Sequence, residues 1–130
     1  MNETFDDPTD SRSDIYCFDI DGTLTEVHEG TPFDAVPRYD RIEKVNALFD
    51  QGAIIYLQTA RGFIVSSEMY PADIIAQQAE ADKYMRSRTE EQLKSWGVKY
   101  TKLFFGKPRA SIYVDDRGCS DFDYFLDKIK

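Results

Sequence analysis

The sequence predicts a doubly wound, Rossmann-like α/β fold built on a parallel sheet. Short apolar runs alternate with segments of helical spacing, and those runs show little polar alternation. Uninterrupted apolar runs suit parallel strands covered on both faces, whereas half-exposed antiparallel strands alternate. In addition, four of the runs end in polar clusters, and chemistry gathers at the carboxyl edge of parallel sheets.

The elements follow in order. Residues 1–13 are acidic, contain Pro8 and few apolar anchors, and read as a disordered arm ahead of a single domain over 14–130. Ile15 to Ile20 is the first strand, with Cys17 as a small core residue. Residues 22–37 hold Gly22, Gly30, Pro32 and Pro37 without periodicity, which predicts a long loop of the kind that serves as a lid or binding element. From Arg38 to Gln51, Ile42, Val45, Leu48 and Phe49 recur at helical spacing, and Gly52 is the stop. Ala53 to Leu57 is the second strand, delivering Gln58-Thr59-Ala60-Arg61-Gly62. Pro71 opens a helix through Met85, with Ile74, Ile75, Ala79 and Met85 near one face. Thr89 and Gln92 fit a capping box that opens another helix, ending near Trp96-Gly97. Val98 to Phe105 contains the third strand, ending at Gly106-Lys107-Pro108; Ser111 to Val114 is the fourth, ending at Asp115-Asp116. Phe122, Phe125, Leu126 and Ile129 mark a terminal helix.

Composition narrows the function. At 130 residues the chain supports one real core. A net charge of −8 argues against nucleic acid as a main partner, because phosphate backbones select basic patches. A small phosphorylated substrate needs only local positive charge and stays open. No apolar run is long enough to cross a bilayer, and the polar, acidic opening is unlike a secretory leader, so the expectation is a cytoplasmic protein off the membrane. Cys17 and Cys119 show neither zinc spacing nor a disulfide pattern.

The polar clusters are Asp19/Asp21, Thr59/Arg61, Lys107 and Asp115/Asp116. Brought to one edge, four carboxylates require a hard cation, and an oxygen-only donor set favours Mg²⁺. Mg²⁺ keeps positions for phosphate oxygens, so phosphoryl transfer is the natural chemistry. The period of two points Asp19 and Asp21 the same way. Asp19 is the candidate nucleophile, and Asp21 the group that protonates the leaving oxygen and later activates water. Thr59 and Lys107 face the equatorial oxygens of the transition state. Asp115 and Asp116 complete the metal site, directly or through waters, and Arg61 clamps phosphate or the leaving group with its planar fork. Gly22, Thr23 and Ala60 are further substrate-binding candidates. His28 in the 22–37 loop reads more readily as an exposed histidine than as a leaving-group contact.

Phe18-Asp19-Ile20-Asp21-Gly22-Thr23-Leu24-Thr25 resembles the first motif of the haloacid dehalogenase-like (HAD) phosphohydrolases, and Thr59, Lys107 and Asp115-Asp116 match the later motifs in order. The resemblance implies a HAD-like fold, Asp19 as nucleophile, Asp21 as acid/base, and Mg²⁺ held by Asp19, the Asp21 carbonyl and the Asp115/Asp116 pair. The segments Arg41 to Asn46, Thr59-Ala60-Arg61-Gly62, Glu91 to Tyr100 and Phe105 to Pro108 are similar to small, capless members labelled as capsule or polysaccharide biosynthesis phosphatases. Against that pattern residues 63–86 look partly inserted, as a miniature cap or a homodimer contact, and their modest apolar face favours the contact. The expectation is a Mg²⁺-dependent phosphomonoesterase acting on a small metabolite such as a sugar phosphate. The rival is a receiver-like phosphoacceptor domain, but its acceptor Asp sits in mid-chain, where this chain has Thr59. A dehalogenase would leave Asp21 without a role.

Overall fold

Three short strands set the frame in the computed structural model, which describes residues 14–27 and 29–106. They are β1 (Ile15–Asp19), β2 (Ile54–Thr59) and β3 (Lys102–Phe105), all parallel in the order β1-β2-β3. The register pairs Asp19 with Gln58 and Thr59 with Phe105, so the three strands finish at one edge. The chain passes from β1 to β2 through a loop and α1 (Tyr39–Asp50). It passes from β2 to β3 through α2 (Phe63–Met69) and α3 (Ile74–Ser95).

Right-handed crossovers that step in one direction lay their helices on the same face of a sheet. The core shows this: Phe18, Ile55, Leu57, Leu103 and Phe105 from the strands pack with Ile42 and Val45 of α1, Phe63 of α2, and Ala81, Met85 and Leu93 of α3. The other face is open among the described residues, with Ile15 and Phe104 exposed and Tyr56 stacked edge-on against Phe104. Among the described residues, an α/β arrangement on a three-stranded parallel sheet is therefore established. The second helical layer of a doubly wound fold is not among the described residues. Cys17 is exposed instead of lying in the core; its thiol donates to Gln58 Oε1 at 3.2 Å. The arm over 1–13, the fourth strand and the terminal helix lie outside the described residues.

Helix α1 forms where its spacing predicts. Arg38 brackets Asp40 through Nε (3.0 Å) and Nη2 (2.8 Å), which pulls that carboxyl down to about 2, and Gly52 at φ +101° follows the last turn. The buried stripe is narrower than expected, since Phe49 is exposed and only Ile42 and Val45 are fully covered.

The second crossover departs from expectation more. One continuous helix of 22 residues replaces the two predicted, because no Gly or Pro interrupts Ile74 to Ser95. Pro71 lies in the preceding turn, and Asp73 is the cap, its Oδ1 accepting from Ala76 N at 3.0 Å. Thr89 is mid-helix, so it caps nothing. The buried positions are Gln77, Ala81, Met85, Thr89 and Leu93, a four-residue repeat that winds about 40° per step around the axis. Ile74, Ile75 and Ala79 fall off that stripe and are exposed. Arg86 ties the helix to β3: it pairs with Asp82 and Glu90, donates to the Leu103 carbonyl at 2.8 Å, and lies over the Phe105 ring. Residues 63–86 are thus the crossover itself, sharing the main core through Phe63, Ala81 and Met85.

Gly62 lets α2 begin against α3. It has φ +84°, and an added Cβ would lie 2.8 Å from Met85 Cγ and 3.3 Å from the Ala81 Cα. Replacing Gly62 with Ala combines left-handed strain with overpacking, for an expected loss of about 2–4 kcal/mol in denaturant unfolding. A change under about 0.5 kcal/mol would mean that the two helices separate freely there. Among the described residues, no helix is long and apolar enough to cross a membrane.

Candidate functional site

The site is built at the carboxyl edge, where β1 stops. Asp19 is the last residue of that strand, and Ile20 behind it is fully buried. The Ile20 carbonyl accepts from both Thr23 N (3.2 Å) and Leu24 N (2.8 Å), folding residues 20–24 into a tight turn. Gly22 takes φ +84° within it, and its N–H donates to Thr25 Oγ1 at 3.0 Å. Asp21 therefore lies beyond the strand, and strand alternation no longer sets where its carboxylate points.

Arg61 sets that direction instead. Asp21 Oδ2 accepts from Arg61 Nε at 2.8 Å, and Oδ1 from Nη2 at 2.9 Å, a bidentate pair. The guanidinium is buried, its side chain 2% exposed against 36% for Asp21, so one partner is desolvated and the other faces the edge. Nη1 donates to Gln92 Oε1 at 2.7 Å and Thr89 Oγ1 at 3.3 Å, both on α3. The Phe33 ring lies 5.4 Å from the guanidinium carbon. The described contacts of this fork are all with other residues of the protein, and the expected clamp on phosphate or the leaving group is not among them.

The turn after β2 explains why Arg61 reaches inward. Thr59 ends the strand fully buried, and its Oγ1 accepts from Arg61 N at 3.0 Å. The Ala60 carbonyl accepts from Phe63 N, and Gly62 completes the reversal. With its oxygen accepting, the Thr59 hydroxyl retains its proton for an outside acceptor; it donates to no described residue.

The loop after β1, over its described residues 22–27 and 29–37, is pinned, not draped. Thr25 bridges Pro37, Glu26 N donates to the Val36 carbonyl, and Arg38 N to that of Leu24. A single helical turn at Pro32–Asp34, capped by Thr31, presents Phe33 to two guanidinium groups, Arg61 and the exposed Arg88 at 3.9 Å. Gln92 Nε2 donates to the Pro32 carbonyl at 3.1 Å, so one side chain holds both this loop and Arg61.

The structure thus brings Asp19, Asp21, Thr59 and Arg61 to one edge. Among the weaker candidates, the Gly22 N–H is already used by Thr25, the Thr23 carbonyl accepts from Arg41 Nη1 at 3.0 Å, and Ala60 is part of the turn. The chain leaves β3 after Phe105 at this same edge. Lys107, Asp115, Asp116 and His28 lie outside the described residues. Among the described residues no cluster of three or more His, Cys, Asp or Glu could hold a metal. Of the oxygens expected to meet Mg²⁺, the Asp21 carbonyl accepts from no described residue, which suits a hard ion, while the Asp21 carboxylate is taken by Arg61. Sequence reasoning missed Thr89, Gln92, Phe33 and Arg88. The i, i+3 spacing of Thr89 and Gln92 was the available signal, since it places both on one helix face as readily as it suggests a cap.

No family model matches this chain, and no curated protein matches it. Its fold is similar to the crystal structure of a structural-genomics target from Vibrio cholerae, at a TM-score of 0.69 and 25% identity, covering 86% of each chain.

Proposed function

We propose that the protein is a HAD-type, Mg²⁺-dependent phosphomonoesterase of small phosphorylated metabolites, with sugar phosphates the first class to test. The observation that carries the reading is the pairing of β1 with β2: parallel and adjacent, they put the acids of residues 19 and 21 beside Thr59 at one edge. In this reading an Asp19 oxygen attacks phosphorus as the bond to the leaving oxygen breaks, and Asp21 supplies the proton that oxygen needs. Asp21 then takes a proton from water, which attacks the aspartyl phosphate and releases inorganic phosphate and free Asp19. The Thr59 hydroxyl and Lys107 stabilise the charge that spreads over the equatorial oxygens. Asp19, the Asp21 carbonyl, Asp115 and Asp116 would hold the Mg²⁺. Once bound, the ion supplies the charge that lets one anion approach another.

The reading is of a cytoplasmic enzyme, and its test is turnover. Purified protein should release phosphate from p-nitrophenyl phosphate over many cycles with Mg²⁺ and stop when the metal is chelated. Stoichiometric labelling by acetyl phosphate without turnover would instead indicate a phosphoacceptor domain. A homodimer through residues 63–86 belongs to the same proposal, supported by the exposed Ile64, Val65, Met69, Ile74 and Ile75. Sedimentation velocity should show a dimer that Ile75→Lys dissociates; a wild-type monomer at assay concentration would remove it.

A further inference from the structure

We propose that Arg61 is a positioning residue for Asp21, and that Thr89 and Gln92 of α3 hold Arg61 so that the Asp21 carboxylate is presented to the leaving oxygen. The inference rests on the phosphomonoesterase reading above and assigns Arg61 a different partner from the substrate phosphate.

Geometry carries it. A carboxylate on a turn is free to rotate about its side-chain torsions, and general acid–base catalysis needs the reacting oxygen within hydrogen-bond reach of its target. Here both Asp21 oxygens accept from one planar fork, at 2.8 and 2.9 Å, so the plane and direction of the carboxylate are fixed together. The fork is itself fixed. It is buried, it donates to Gln92 and Thr89, and its backbone N–H is held by Thr59. Each carboxylate oxygen has two lone-pair sites, so an oxygen that accepts from Arg61 keeps one to carry the proton given to the leaving oxygen, and to take a proton from water afterwards. Ordering Asp21 beforehand saves that cost during the reaction. Gln92 also donates to the Pro32 carbonyl, which joins the loop over residues 22–37 to the same network.

A group that positions an acid reveals itself by leaving-group dependence. Phosphate esters whose leaving oxygen needs no proton should tolerate its loss, and esters of poor leaving groups should not. The experiment measures kcat/KM for wild type, Arg61→Lys, Gln92→Leu and Asp21→Asn on a series running from p-nitrophenyl phosphate through phenyl phosphate to an alkyl phosphate. Arg61→Lys should fall about 10–100-fold at the alkyl end and under about 3-fold on the p-nitrophenyl ester, with KM nearly unchanged. Combining Arg61→Lys with Asp21→Asn should add little to Asp21→Asn alone, because both act through one carboxylate. An equal loss across the series, with KM raised, would overturn the inference in favour of a substrate clamp. If Arg61→Lys fails to melt cooperatively, Gln92→Leu decides: a loss confined to poor leaving groups supports the inference, and an unchanged series rejects it. A wild-type protein inactive on every ester would reject the phosphatase reading and this inference with it. An active wild type with an unaltered Arg61→Lys series rejects the positioning role alone.

Discussion

Replacing Asp19 with Asn is expected to abolish turnover, by at least about 10⁴-fold in kcat, while leaving the fold intact. The substitution keeps shape and volume but removes the anionic oxygen that would form the bond to phosphorus at the last residue of β1. Asp19 is half-buried at the close of a strand whose ladder to β2 runs through backbone groups, so the melting temperature should shift little. A steady-state assay with Mg²⁺, paired with a thermal melt, separates chemistry from folding. Residual activity above about 1% of wild type would mean that another residue, or water acting directly, attacks phosphorus.

Asp21→Asn should lower kcat about 10²–10⁴-fold, the usual range for a general acid–base group, and slow both half-reactions. Phosphorylated enzyme should accumulate when loss of the base slows hydrolysis more than it slows transfer. This variant also carries a structural cost at Arg61. Arg61 is buried, and an amide can accept from only one side of its fork, leaving one N–H directed at the Asn NH₂. Removing a partner of a fully buried pair can cost 3–5 kcal/mol or so, but Asp21 is partly exposed and water can reach it, so about 1–3 kcal/mol is expected. Denaturant unfolding beside the kinetics tests both halves. Wild-type turnover would move the acid/base role elsewhere, and wild-type stability would mean that Arg61 finds another acceptor.

The parts of the fold legible in the sequence were those set by local pattern. Ile15 to Asp19 and Ile54 to Thr59 are apolar runs bounded by turn residues, and α1 carries its periodicity and its Gly52 stop in adjacent residues. The parts that were not legible depend on distant partners. Thr89 has the same identity and spacing whether it caps a helix or faces a guanidinium 28 positions away, and only the fold distinguishes the two. α2 is seven residues long, too short for a helical period to show. Cys17 was assigned to the core because its strand is apolar, yet strand composition does not say which face a helix covers. At the site, order along the chain pointed to Asp19, Asp21 and Thr59. The fork of Arg61 was recognised as a carboxylate or phosphate binder in general, and its actual acceptor, Asp21, lies 40 residues away.

In the proposed reaction the oxygen at the end of β1 receives the phosphoryl group. Acid-quenching the protein during turnover, reducing the acyl phosphate with borohydride and mapping the product by mass spectrometry tests it directly. Reduction is expected at residue 19, enriched in Asp21→Asn and missing from Asp19→Asn. A turning-over protein whose label maps to any other residue, or that never carries one, would contradict it.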